Sequence, residues 1–222
     1  MIEAVIFDCD GVLVDSEVLA IEAELAALAE IGLAYEEADF KARFMGLSDK
    51  AFFDALEADH RLHKKTDLPD GFRDTCKARY HASRHRLTEV PGARAAIARV
   101  SHAKAVASSS TTEALERKLR QTNLWDLFAP HVYSADHVAH AKPAPDLFLH
   151  TAGALGVAPA HCLVIEDSVN GVVAARAAGM DVWGFMGGGH MDEACGARLL
   201  AAGAARLIRD WDEAGALLSS GV

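Results

Sequence analysis

Short apolar runs alternate with amphipathic segments along much of this chain of 222 residues. The first run, Ala4–Phe7, is continuously apolar, which is typical of a parallel strand that is covered on both faces. Further β-type runs are predicted at residues 103–107, 131–134, 162–165, 181–183 and 205–208. Segments whose apolar residues have helical spacing lie between most of these runs. This alternation predicts an α/β fold with a doubly wound parallel sheet.

The stretch from residue 16 to residue 86 has a different pattern, because it contains no convincing β-type run. Apolar residues from Val18 to Leu28 recur at the i, i+3, i+4 spacing of an amphipathic helix. Three more helices are predicted, at residues 36–44, from residue 48 onwards, and at residues 70–85. We therefore predict a sheet domain formed by residues 1–15 and 87–222, with an all-helical insert at residues 16–86.

Composition narrows the class of protein. The chain is 51% apolar and 24% charged, which fits a soluble globular protein. Its net charge of -10 argues against a general binder of nucleic acid or of anionic membranes. The four cysteines lack short paired spacing, so we expect reduced thiols. Neither a signal peptide nor a membrane helix is apparent. We expect a cytoplasmic monomer that binds neither nucleic acid nor membrane.

Polar residues follow three of the predicted strands at the point where each strand ends. They are Asp8 and Asp10 after the first run, Ser108 and Ser109 after the second, and Glu166 and Asp167 after the fourth. Parallel strands end at the same edge of a sheet, and in α/β folds that edge is where ligands bind. We therefore expect these side chains to converge on one crevice.

The chemistry of this set favours a phosphate ester as substrate. Four carboxylates in one pocket would repel one another, and Mg²⁺, which prefers oxygen ligands, would relieve the repulsion. The Ser108 hydroxyl and the backbone N–H groups at Ser109 are suited to a phosphate, and Lys142 would neutralise charge on the reacting groups. Asp8 would attack phosphorus, while Asp10 would protonate the leaving oxygen and then deprotonate a water.

These residues carry a family resemblance. The decapeptide that begins at Asp8, Asp-Cys-Asp-Gly-Val-Leu-Val-Asp-Ser-Glu, resembles the first motif of haloacid dehalogenase-like (HAD) hydrolases. Ser108 is similar to the second motif and Lys142-Pro143 to the third, while the fourth matches residues 166–168 together with Asn170-Gly171. The resemblance implies a Rossmann-like core, with Asp8 as nucleophile and Asp10 as acid/base. It also implies Mg²⁺ held by Asp8, the Asp10 carbonyl, Asp167 and Glu166.

The helical insert resembles the cap domain of the subgroup that contains β-phosphoglucomutase, phosphoglycolate phosphatase and sugar-phosphate phosphatases. The resemblance implies that residues 16–86 close over the substrate, with Arg43 and Gly46 in a specificity loop. Mutase-type relatives often carry a histidine at the position of Ala20, so this chain favours hydrolysis. Asp10 and the acidic pair after the fourth strand favour a phosphatase over a dehalogenase, because dehalogenases lack the second aspartate of the first motif.

The sequence therefore predicts a Mg²⁺-dependent phosphatase acting on a small phosphorylated metabolite, such as a sugar phosphate or phosphoglycolate. A phosphomutase is the alternative within the family. A receiver-like signalling module also uses an acidic pocket, a hydroxyl and a lysine, but it needs no helical insert. The segment Gly187–His190 lacks the spacing of a nucleotide-binding loop. We interpret it as a mobile loop after a strand.

Overall fold

Strand β1 (Ala4–Phe7) lies inside a parallel sheet in the computed structural model, which describes residues 1–44, 47 and 49–219. The other strands are β2 (Ala103–Ser108), β3 (Val132–Ser134), β4 (Cys162–Glu166), β5 (Asp181–Phe185) and β6 (Arg206–Ile208). The helices are α1 (Ser16–Glu30), α2 (Glu37–Phe44), α3 (Asp49–Lys64), α4 (Phe72–Ser83), α5 (Ala93–Arg99), α6 (Thr112–Gln121), α7 (Asp146–Leu155), α8 (Val169–Ala177), α9 (Glu193–Ala202) and α10 (Trp211–Ser219). Of the described helices, none is both long and apolar enough to cross a membrane.

The sheet has the strand order β3-β2-β1-β4-β5-β6, and every neighbouring pair is parallel. The chain thus winds outward from β1 in both directions, which is the doubly wound topology. All four residues of β1 are fully buried, as its continuous apolar sequence predicts. The predicted fold class is confirmed.

Two helices near the end of the chain, α9 and α10, are absent from the sequence prediction. Each contains a glycine, Gly196 or Gly215, which lowers helix propensity by about 1 kcal/mol. Tertiary packing compensates for this cost, since Leu199 and Trp211 are both buried. Asp192 caps α9 by accepting a hydrogen bond from a backbone N–H, and such a residue is the signal that marks a helix start.

The chain divides into two compact units, which are Met1–Asp15 with Leu87–Val222, and Ser16–Arg86. The second unit is helical and has its own apolar core, in which Phe40, Phe44 and Phe52 stack edge to face or at a tilt. The helices pack through apolar faces that the i, i+3, i+4 spacing creates.

The two backbone passages between the units are hydrogen-bonded neighbours. Asp15 donates its N–H to the Thr88 carbonyl at 3.1 Å, and Val90 donates to the Leu13 carbonyl at 2.9 Å. The sheet unit therefore holds the point where the chain leaves it close to the point where the chain returns.

Candidate active site

The strand register brings the polar residues to one level at the carboxyl edge of the sheet. Phe7 lies opposite Val106 on β2 and opposite Ile165 on β4. The next residue, Asp8, donates its N–H to the Ile165 carbonyl at 3.0 Å. Asp8 therefore emerges between the ends of β2 and β4, with Glu166 beside it.

A tight loop after β1 holds Asp10. Val14 and Leu13 both donate their N–H groups to the Cys9 carbonyl, and Gly11 donates to the Val14 carbonyl at 2.8 Å. The indole N–H of Trp211 on α10 donates to the Val12 carbonyl at 3.0 Å. These bonds fix the backbone from Cys9 to Val14, and with it the position of Asp10.

Lys142 joins the carboxylates of β1 and β4. Its ammonium donates to Asp8 Oδ1 at 2.6 Å, to Glu166 Oε1 at 2.7 Å and to the Ala107 carbonyl at 2.9 Å. Only 3% of its side chain is exposed. Lys142 precedes a cis proline, Pro143, in the loop between β3 and α7.

Burial and charge act on these groups in opposite directions. Burial raises the pKa of Asp8 well above its ordinary value, and the Lys142 ammonium opposes that rise. The nearby carboxylates of Glu166, Asp167 and Asp10 raise the pKa of Asp8 further. Burial alone would lower the pKa of Lys142, but its bonds to Asp8 and Glu166 raise it above the usual lysine value. Lys142 therefore stays protonated at neutral pH.

Asp10 is held by a second lysine, which the sequence analysis missed. Lys118 on α6 forms an ion pair with Asp10 Oδ1 and donates to Ser110 Oγ at 3.0 Å. The Ser110 hydroxyl donates to Asp10 Oδ2 at 2.9 Å, and the Ser108 hydroxyl lies 3.4 Å from the same oxygen. Lys118 is buried, as are Leu115 and Leu119, so it lies on the apolar stripe of the amphipathic helix α6. The spacing of the leucines in the sequence could therefore have indicated that Lys118 is buried.

Glu166 is fully buried and uses both oxygens within the protein. Oε1 accepts from Lys142, while Oε2 accepts from the backbone N–H of Ser168 at 2.8 Å and from its hydroxyl at 2.9 Å. The Ser168 hydroxyl also caps α8 by accepting from the Gly171 N–H. These contacts suit Glu166 to orienting Lys142, and its service as a metal ligand stays a prediction.

Asp167 lies against the loop after β1. Gly11 has φ +76°, and a Cβ there would overlap the Asp167 carboxylate and the His190 ring. His190 Nε2 is 3.1 Å from Asp167 Oδ2. The segment Gly187–His190, interpreted from the sequence as a mobile loop of no assigned role, therefore contacts this site.

The residues fit a divalent cation. The carboxylates of Asp8, Asp10, Glu166 and Asp167 carry four formal negative charges, and two lysine ammonium groups oppose them, which leaves a formal excess of two negative charges. Within the described part of the chain, no three His, Cys, Asp or Glu side chains form a ready-made metal cage. Mg²⁺ needs no such cage, because it usually takes one or two carboxylates and keeps its waters. Asp8, Asp167 and the Asp10 carbonyl supply oxygen donors of the type that Mg²⁺ prefers.

The remaining predicted residues lie as follows. Ser109 directly follows β2, between the two serines that approach Asp10. Arg43, on α2 of the helical unit, forms an ion pair with the buried Asp59. Gly46 lies outside the described residues. The roles of Ser109, Arg43 and Gly46 in binding substrate stay predictions.

Comparison with known proteins identifies the family of the chain. The model of the haloacid dehalogenase-like hydrolase family matches residues 2–179. The chain is 35% identical to a phosphorylated carbohydrates phosphatase of Thermotoga maritima, over 93% of this chain and 94% of that one. It is 28% identical to the 6-phosphogluconate phosphatase of Escherichia coli K12, over 85% of each chain.

A crystal structure of a HAD family hydrolase from Deinococcus radiodurans, with bound phosphate and sodium, is 34% identical. The two folds superpose with a TM-score of 0.85, covering 99% of this chain and 96% of the other. The resemblance inferred from the four motifs is confirmed, and the chain belongs to the haloacid dehalogenase-like hydrolase family.

Proposed function

We propose that this chain is a Mg²⁺-dependent phosphatase that hydrolyses small phosphorylated metabolites of the sugar-phosphate type through an aspartyl-phosphate. The observation that carries the proposal is the pairing of the first two motif-one aspartates with one buried lysine each, Asp8 with Lys142 and Asp10 with Lys118, at one edge of the sheet. The two named relatives are phosphatases, and one acts on phosphorylated carbohydrates.

Asp8 is proposed as the nucleophile. Its carboxylate forms a bond to phosphorus as the bond from phosphorus to the ester oxygen breaks. Lys142 offsets charge on the attacking group, and it is anchored by Glu166 in doing so. When bound, Mg²⁺ would supply charge stabilisation to the phosphoryl oxygens and to Asp8. The Ser108 hydroxyl and the N–H groups at Ser109 are proposed to bind phosphoryl oxygens.

Asp10 is proposed as the acid and then the base. It gives its proton to the departing ester oxygen, and it then takes a proton from the water that attacks the phosphorus of the aspartyl-phosphate. That attack releases inorganic phosphate and regenerates Asp8. In the structure Ser110 and Lys118 fix the position of the Asp10 carboxyl group. Asp10 is proposed to carry its proton at the start of the cycle and to regain one from the water in the second step.

The helical unit is proposed to act as the cap that selects the substrate. Arg43 is the candidate for an anionic group of the substrate, because 47% of its side chain stays exposed while Asp59 holds its guanidinium in place. The central carbon of the Arg43 guanidinium lies 5.7 Å from the centre of the Tyr35 ring and 5.4 Å from the centre of the Phe44 ring. These cation–π contacts restrict the side chain further. A monomeric state and a cytoplasmic location stay predictions.

The test is phosphate release from p-nitrophenyl phosphate and from a panel of sugar phosphates, with EDTA or Mg²⁺ present. Asp8→Asn is expected to abolish turnover while the circular dichroism of the folded chain persists. Asp10→Asn is expected to lower turnover by about 10²–10⁴-fold. Asp181→Asn is the matched control, because Asp181 begins β5 at the opposite edge of the sheet and is exposed.

Acid quenching during turnover should trap a phosphoryl adduct on the peptide that contains Asp8, detected by mass spectrometry. Turnover by Asp8→Asn near the unmutated rate would remove Asp8 as nucleophile. Equal turnover in EDTA and in Mg²⁺ would show that the reaction does not require the metal. A chain that kept its phosphoryl group would be receiver-like, and one that needed a bisphosphate primer and left free phosphate unchanged would be a mutase.

A further inference from the structure

The loop after β5 packs against the loop after β1. Gly189 donates its N–H to Asp15 Oδ1 at 3.1 Å. A Cβ on Gly188 would meet the Gly11 carbonyl and the His190 ring, so the two loops approach too closely for a side chain at that position. The close fit carries His190 into the protein, where only 3% of the residue is exposed.

His190 and Gly11 enclose the Asp167 carboxylate. His190 Nε2 lies 3.1 Å from Asp167 Oδ2, and both side chains are buried. The same carboxylate oxygen occupies the space that a Cβ on Gly11 would need. The Asp167 carboxylate is therefore packed on one side by backbone and faced on another by a ring nitrogen.

We propose that His190 is a positioning residue that orients Asp167 for the divalent cation. The inference rests on the proposed function, because Asp167 is one of the carboxylates assigned there to Mg²⁺. An Nε2–H donor on Oδ2 fixes rotation of the carboxylate about its Cβ–Cγ bond and leaves oxygen lone pairs for the cation. Hydrogen bonds of this kind to ligating carboxylates are a general means of preorganising metal sites. His190 itself is no ligand in this assignment, since Mg²⁺ prefers oxygen.

The experiment measures metal affinity without substrate. Metal-free protein is titrated with Mn²⁺, the free ion is followed by electron paramagnetic resonance, and Mg²⁺ is then added as competitor. His190→Leu removes the donor and retains apolar bulk, and it should weaken Mn²⁺ and Mg²⁺ binding by about 10–100-fold. His190→Gln places an amide N–H₂ near the position of Nε2 and should recover most of that loss. His190→Asn, whose amide is one bond shorter, should not.

His161→Leu is the matched control. His161 also pairs with a carboxylate, with Nδ1 2.7 Å from Glu3 Oε1, but it precedes β4 at the amino edge of the sheet and is exposed. This variant should bind Mn²⁺ as the unmutated chain does. Circular dichroism in EDTA establishes that each variant is folded.

The outcomes separate this inference from the proposed function. If His190→Leu is folded and binds Mn²⁺ with unchanged affinity while the unmutated chain is an active metal-dependent phosphatase, only the role of His190 is overturned. Equal losses in the Leu and Gln variants would assign the effect to packing and overturn the donor role. If His190→Leu does not fold, the contrast between Gln and Asn decides. An unmutated chain that neither binds Mn²⁺ nor hydrolyses phosphate esters overturns both proposals.

Discussion

Lys142→Met removes the cation that two carboxylates share. The lysine ammonium lies 2.6 Å from Asp8 and 2.7 Å from Glu166, and a carbonyl accepts its third hydrogen bond. Methionine keeps most of the apolar volume of the side chain, and it also removes the ammonium that lies 4.8 Å from the centre of the Phe148 ring. The substitution therefore deletes charge and hydrogen bonds with little loss of apolar volume.

The cost follows from burial. Removing one partner of a buried ion pair destabilises a protein by about 3–5 kcal/mol, because a charge is left without compensation. Natural domains are stable by only about 5–15 kcal/mol, so this loss is a large fraction of the total. For a chain of this size each kcal/mol lowers the Tm by about 2–4 °C. The expected fall in Tm is thus about 6–20 °C.

The assay is urea unfolding in EDTA followed by tryptophan fluorescence. All three tryptophans, at positions 125, 183 and 211, belong to the sheet unit, so the signal reports that unit alone. Lys104→Met is the matched control. Lys104 is half-buried and donates to two backbone carbonyls at 3.2 Å, with no carboxylate involved in those bonds. Its loss should cost about 1 kcal/mol.

The free energy of unfolding that Lys142→Met loses, relative to the unmutated chain, should depend on pH. In the folded chain burial raises the pKa of Asp8, and the variant lacks the ammonium that opposes this rise. A raised folded pKa means that stability is fully present below the ordinary carboxylate pKa and is lost as pH rises through the folded value. The deficit relative to the unmutated chain should therefore be largest at alkaline pH and shrink on acidification. A deficit below about 1 kcal/mol, or one that is constant from acid to alkaline pH, would refute the reasoning.

Three further changes have distinct expected results. Lys118→Met should lower kcat for alkyl phosphates by up to about 10²-fold and for p-nitrophenyl phosphate by less, because the lysine positions Asp10, and p-nitrophenolate leaves without a proton; equal losses with both substrates would contradict this. Trp211→Phe leaves a buried loop carbonyl without its donor and should cost about 1–3 kcal/mol in urea unfolding, with an unchanged m value. In the helical unit, burial opposes ionisation of Asp59, but hydrogen bonds from a tyrosine and from Arg43 lower its pKa. The stability that Asp59 contributes is then present above the ordinary aspartate pKa and lost as pH falls through the lowered one. Asp59→Asn should thus speed hydrogen exchange in peptides from residues 16–86 at neutral pH, by about 1–2 kcal/mol of protection, and the gap should close in acid.

The parts of the structure that follow from local pattern were predictable. A continuously apolar run such as Ala4–Phe7 is typical of a buried parallel strand, and polar residues at its carboxyl end are then expected where ligands bind. Parallel pairing alone then places Asp8 and Glu166 side by side, although 158 positions separate their numbers in the chain.

Contacts that depend on the reach of single side chains were not predictable in the same way. Lys118 lies in a run of charged residues on α6, and the sequence does not state that its ammonium turns inward to Asp10. Tertiary packing also determines that one oxygen of Glu166 accepts from Lys142 and the other from Ser168. The glycine-rich loop carries no recognisable spacing, so only the fold reveals that His190 reaches Asp167.

The hydrogen bonds between the two backbone passages have a consequence for how such a chain can diversify. Asp15 and Thr88 are held together by the sheet unit itself, so a short turn between them would satisfy the same geometry. Residues 16–86 are in this sense an exchangeable module, whose length and sequence are free to change while strand register stays the same. On the proposed role of the helical unit in selecting the substrate, replacing this module would change selectivity without rebuilding the groups at the edge of the sheet.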